Sequence, residues 1–139
     1  MALEVETLEE SFDLVAPQGD ELMRRFYDRL FEVAPGVKPL FANVDMDRQR
    51  KALLNMLIVL RESLHDLDDV VPDLQALGAK HAEWGAQPEH YPVVGEVLLG
   101  EMAALGGDAW KPEYTAAWQE AYGVVQDVML GGAAAATTQ

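Results

Sequence analysis

Proline and glycine breaks at Pro17, Pro35-Gly36, Pro72, Gly85, Pro88, Pro92, Gly106-Gly107 and Pro112 cut the chain into short pieces of unequal length. Within each piece the apolar residues return every three or four positions. That combination admits helices and little else. No stretch sustains a period-two alternation, and no Asn-Gly or Asp-Gly pair offers a hairpin turn. The fold class read from this pattern is all-α. The breaks at Pro17 and Pro35-Gly36 are too close for an even four-helix bundle, so six or seven unequal helices crossing obliquely are predicted.

Val5, Leu8, Phe12 and Val15 mark the first helix, with Glu4 and Glu6 suited to its N-terminal dipole. Leu22, Met23, Phe26, Tyr27, Leu30 and Phe31 trace a broad apolar face on a second, which Pro35-Gly36 terminates. Val37 to Phe41 is a short turn, followed by a polar loop with Asp45 or Asp47 as a helix cap. A third helix runs through Leu53, Met56, Leu57, Leu60 and Leu64. Residues 65–69 form a polar linker, and Pro72 suits the first turn of the helix that carries His81. Pro92 opens the next, with Val94, Val97, Leu98 and Met102 inward, and Gly106-Gly107 stops it. Pro112 begins the last, through Tyr114, Trp118, Tyr122, Val125 and Met129. Gly131-Gly132 is expected to end it, giving one domain over 1–130 and a frayed low-complexity tail over 131–139.

At 139 residues the chain is large enough for a real core and too small for a second catalytic domain. Its formal net charge of −14 repels phosphate backbones and anionic headgroups, which disfavours nucleic acid and membrane partners. Without cysteine there is no disulfide, thiolate metal site or cysteine nucleophile, in keeping with a reducing compartment. The start, MALEVETLEES, is acidic where a secretory signal is basic and then apolar. No uncharged apolar run approaches the ~18 residues that span a bilayer. A cytoplasmic location is expected.

The stretch LQALGAKHAEWG, residues 74–85, concentrates the chemistry. Leu74, Leu77, Gly78, His81, Trp84 and Gly85 share one helical stripe, so an imidazole lies on a face that should be apolar. Such a ring either satisfies both nitrogens with hydrogen bonds or gives one lone pair to a metal. Three further residues are unusual for an ordinary core. Tyr27 carries a hydroxyl on an inward face, where a missing partner costs about 1 to 3 kcal/mol. Gln49 sits one turn before Leu53 on the same face. Phe41 ends an exposed-looking turn. Singly, each has an ordinary structural explanation.

Jointly they resemble a known pattern. FYDRLF followed by PGVKPLF, then Gln49 to Leu53, LGAKHAEWG, HYPVVGEVLLG and AAWQEAYGVVQDVM stand in the order found in bacterial single-domain globins, relatives of the globin domain of flavohaemoglobins and of Vitreoscilla-type haemoglobin. Gln49 and His81 are 32 residues apart, the family's spacing of distal and proximal positions. The resemblance implies a globin fold around a haem pocket, with haem b (iron protoporphyrin IX) as cofactor. His81 would be the proximal iron ligand, its other nitrogen donating to a backbone carbonyl or side chain. Phe41 would stack on the porphyrin, Tyr27 and Gln49 would form the distal polar pair, and Leu53 the distal apolar wall. Tyr91 resembles the family's proximal tyrosine. Trp84, Val94, Leu98 and Trp118 are pocket or core residues, with core packing the favoured role, and His65 and His90 are surface histidines in linkers.

The implied function is oxygen binding for storage, delivery or sensing, with NO and CO as further ligands. Two donors facing an oxygen ligand predict slow oxygen release, and less polarised CO should gain less. An alternative is nitric oxide dioxygenation, which needs a separate reductase because the chain has no flavin or nicotinamide domain and no GxGxxG. The sequence departs there from the most active relatives: their glutamate near the end of the last helix falls on Ala133, and Asp127 is too far up the helix to stand in for it. A third alternative is a haem-free globin-like module that binds a partner.

Overall fold

A computed structural model describes residues 4–137. Among them are six α-helices and no strand: α1 (Val5–Val15), α2 (Gly19–Val33), α3 (Met46–Glu62), α4 (Val71–Glu83), α5 (His90–Gly106) and α6 (Pro112–Thr137). Short 3-10 turns at Ala16–Gln18, Pro35–Phe41, Leu67–Val70 and Gly107–Ala109 fill most of the connections. Pro17, Pro35, Pro72 and Pro112 each stand at or near the start of a helix or turn, where a missing N–H leaves no ladder bond unmade. α5 begins at His90, two residues before the predicted Pro92 start, because a proline is tolerated throughout the first turn for the same reason.

The expected stop at Gly131-Gly132 is corrected by the structure, in which α6 continues to Thr137. Residues 138–139 of the expected frayed tail lie outside the described residues. Gly132 is a packing residue: a Cβ there would lie 2.1 Å from the Gln75 carbonyl oxygen of α4. Gly78 repeats the device from the other side, since its Cβ would fall 1.9 Å from the Met129 carbonyl oxygen. Two glycines therefore let α4 and α6 cross backbone against backbone. Gly78→Ala is expected to force the helices apart, at about 3 kcal/mol and a loss of roughly 10 °C in Tm. Gly100, with open space around it in α5, should behave oppositely, Gly100→Ala gaining up to ~1 kcal/mol of helix propensity. Paired thermal melts measure both.

The core has two parts. The larger joins α1, α2, α5 and α6 around Leu8, Phe12, Leu22, Met23, Phe26 and Met102. Ser11, fully buried on α1, gives its hydroxyl to the Thr7 and Leu8 carbonyls and accepts from Trp118 Nε1 at 2.7 Å, which ties α1 to α6. The smaller part joins Leu60, Val70, Leu74, Tyr91 and Met129. α3 packs on α2 and α1, and α4 packs on α6 and on the turn before it. Among the described residues no substantial helix-on-helix packing joins α3 to α4. The two helices meet through side chains, where Leu60 and Met56 of α3 reach the cluster around Leu74.

Candidate functional site

One group of candidate residues is carried by α2, the Pro35–Phe41 turn and the start of α3. Asp45 caps α3, its carboxylate accepting from the backbone N–H of Asp47 at 3.0 Å and of Arg48 at 3.4 Å. Gln49 follows in the first turn, and its Nε2 donates to the Tyr27 hydroxyl oxygen at 3.0 Å. Tyr27 is 4% exposed, so this bond removes most of the cost of burying its oxygen. Burial pushes its phenol pKa up, against smaller opposing effects of the Gln49 bond and the Arg50 charge, so it stays protonated as a donor. The half-buried Phe41 ring lies edge-on to Tyr27, centroids 5.8 Å apart, and to Phe31 at 5.4 Å. Leu53, half-buried on α3, packs against the same core.

The other group is carried by α4 and the start of α5. His81 is partly buried, and its Nδ1 lies 2.8 Å from the Leu77 carbonyl oxygen one turn earlier. The carbonyl only accepts, so Nδ1 carries the proton and Nε2 keeps its lone pair. The Tyr91 ring stands 6.4 Å from the His81 ring, and burial raises the Tyr91 phenol pKa. Tyr122 of α6 donates its hydroxyl to the Tyr91 carbonyl at 2.5 Å, its ring lying over Gly95, where a Cβ would come within 2.6 Å of it. Gly85 closes α4 at φ +98°, a conformation that favours glycine, and Leu40 sits over it: a Cβ would be 3.0 Å from Leu40 Cδ2. That contact brings the turn ending in Phe41 to the end of α4.

The predicted residues thus fall into two groups. Tyr27 touches both Gln49 and Phe41, and His81 touches both Trp84 and Tyr91. Leu98 is buried and Val94 half-buried on α5. Trp118 is core, as expected. Trp84 departs from the core packing expected of it. It is 58% exposed because α4 ends there and the chain turns away at Gly85, although its ring stays 5.3 Å from His81. His65 is exposed, near Glu9. His90 corrects the linker reading: it opens α5, is half-buried, and accepts from the Gln87 backbone N–H at 3.0 Å, so its role is to shape the turn. Asp127 is exposed on α6, and His81's hydrogen-bond partner is a carbonyl rather than a carboxylate.

Sequence reading passed over Leu77, Phe31 and Tyr122 as site residues. Leu77 acts through its backbone, four residues before His81, a spacing that helix geometry makes available to any histidine. Phe31 was legible only as a core position. Tyr122 could have been paired with Gly95 only by knowing how α5 meets α6. A groove of about 380 Å3 between α5 and α6 meets the site only through Tyr122 and holds none of the predicted site residues.

Comparison with known proteins agrees with this architecture. The family model for globins matches residues 24–129. The chain belongs to the globin family. It is 33% identical over 129 residues to a flavohaemoprotein of Bacillus subtilis, covering 91% of this chain and 32% of that protein. A flavohaemoprotein of Rhodopirellula baltica is 35% identical over the same length, with the same coverage. The chain spans about a third of the length of these relatives. Among solved structures, a bacterial globin from Campylobacter jejuni superposes with a TM-score of 0.82 at 23% identity, over 97% of each chain. An engineered carbene transferase from Rhodothermus marinus, described as a candidate nitric oxide dioxygenase, gives 0.81 at 22% identity, over 96% of this chain and 95% of that one. At that identity the two structures establish the fold.

Proposed function

We propose that the chain is a haem-binding, oxygen-binding globin in which a slot between α3 and α4 takes the haem, His81 holds the iron, and Tyr27 and Gln49 stand on the far side. The observation that carries this reading is the His81 hydrogen bond to Leu77, which fixes the ring and leaves Nε2 as a ligand. A lone imidazole is a single ligand, and among the described residues no cluster of three histidines or carboxylates could hold a bare ion. A metal here must bring its other ligands with it, as a porphyrin does. The slot suits a flat apolar disc, with Phe41, Leu53, Val94 and Leu98 as its apolar surroundings and Trp84 and Tyr91 on the histidine side.

Haem b, when bound, would supply an iron able to take a diatomic ligand. The protein's residues do the rest. Leu77 holds the imidazole proton, and Phe41 and Leu53 exclude water. Gln49 donates to Tyr27 and leaves the Tyr27 O–H hydrogen available to a polar ligand. Storage, delivery and sensing of oxygen all fit such a site. The purified protein is expected to be red, with a Soret band and a reversible oxygen difference spectrum; a colourless protein that takes up no added haem would sink the proposal and favour a haem-free module.

Nitric oxide dioxygenation with a separate reductase is the second reading, favoured by the likeness to flavohaemoproteins. Nitric oxide consumption under oxygen, with a reductase and reduced nicotinamide present, separates the two. Many rapid turnovers per haem support the enzyme, and a single turnover supports the binder.

A further inference from the structure

Trp84 is the most exposed of the large apolar side chains, at 58%, and it has an apolar neighbour, Leu40, seated on Gly85 and itself 37% exposed. An exposed indole beside an aliphatic side chain has the composition of an interface anchor. The charge along this segment of the chain is mostly negative. Residues 66–89, covering α4 and its flanks, carry six carboxylates against one cation, Lys80. All six, Asp66, Asp68, Asp69, Asp73, Glu83 and Glu89, are exposed, and none is ion-paired within 4 Å among the described residues. Eight of the ten lysines and arginines lie instead within residues 24–61, on α2, the following turn and α3.

We infer that the outer edge of α4, from Asp66 to Glu89 with Trp84 as its apolar anchor, is the docking face for a cationic one-electron carrier protein. Charge chooses the occupant. A second copy meeting this edge with its own would set six carboxylates against six, whereas a lysine-rich partner is drawn in and oriented by them. Position gives the partner its chemistry: the Trp84 ring is in contact with the His81 ring, so a protein seated on it stands beside the residue proposed to hold iron. This part rests on the proposed haem site. The electron passes from the carrier's reduced centre to the group His81 holds, with no bond made or broken in this chain.

The test uses the purified, haem-loaded protein and mitochondrial cytochrome c, a basic redox protein, as probe, with affinity read by calorimetry at about 20 mM salt. Binding should weaken about tenfold or more on raising salt to about 200 mM, and by a similar factor in Trp84→Ala. Glu83→Lys with Glu89→Lys should also weaken binding. Salt-independent binding, unchanged affinity in Trp84→Ala, or self-association that Trp84→Ala abolishes would each overturn the inference. The Soret band of each variant reports the haem separately. A protein that carries no haem yet binds the probe through Trp84 therefore refutes the haem site while leaving the docking face in place.

Discussion

His81→Ala protein purified from haem-replete cells is expected to lack the Soret and ferrous spectra of histidine-ligated haem. The loss should be nearly complete, because no other imidazole can replace this one. His65 is exposed beside Glu9, and His90 spends its Nδ1 on the Gln87 backbone N–H at the opening of α5. The helix itself should persist, since His81 lies in the last turn of α4 and the glycine-mediated crossing with α6 is built a turn earlier at Gly78. Circular dichroism then distinguishes a missing ligand from a missing fold. Free imidazole added to the variant should restore a six- or five-coordinate haem spectrum by occupying the gap left by the side chain. An unchanged Soret band and ferrous spectrum in the variant would remove His81 from the iron.

Tyr27→Phe is expected to speed oxygen dissociation by about tenfold or more. The Tyr27 oxygen already accepts from Gln49, so its own hydrogen is the one left for a ligand in the slot. A hydrogen bond to a group bearing charge is worth about 1.5 to 3 kcal/mol, and about 1.4 kcal/mol is tenfold. Burial raises the phenol pKa, so the donor survives to alkaline pH, and the oxygen off-rate of the parent protein should stay flat across the neutral and mildly alkaline range. Carbon monoxide release should change much less, being less polarised. Stopped-flow displacement with both gases measures the contrast, and equal oxygen off-rates in the two proteins would take Tyr27 out of the ligand's surroundings. The hydroxyl is the only group removed, and the ring keeps its edge-on contacts with Phe26 and Phe41, so a large structural change is not expected.

Much of the fold is readable before any coordinates. The inward faces of α1 and α2, the caps and the proline starts follow from local rules, and Leu8, Phe12, Leu22, Met23 and Phe26 lie where their spacing puts them. The misreadings share a cause. Gly131-Gly132 looks like a helix stop because isolated glycines destabilise a helix by roughly 1 kcal/mol, yet close packing of α4 on α6 outweighs that and makes Gly132 a requirement. Trp84 looks like core because it shares a stripe with Leu74 and Leu77, but it stands at the helix end, where the chain bends away from that stripe. His90 looks like a linker residue because its turn-forming hydrogen bond is invisible in composition.

The candidate site divides in the same way. Residue types and spacing marked His81, Tyr27, Gln49 and Phe41 as unusual for the faces they occupy, each with an ordinary structural explanation, and the resemblance to bacterial globins is what joined them into a site. Periodicity along single helices, a property of neighbouring residues, also determined the all-α class. Only the tertiary structure decided that Gln49 bonds to Tyr27, that Leu77 holds His81, and that α4 packs on α6. Those facts depend on how separate helices cross, and crossing is set by side-chain volumes and glycine approaches between segments far apart in the chain.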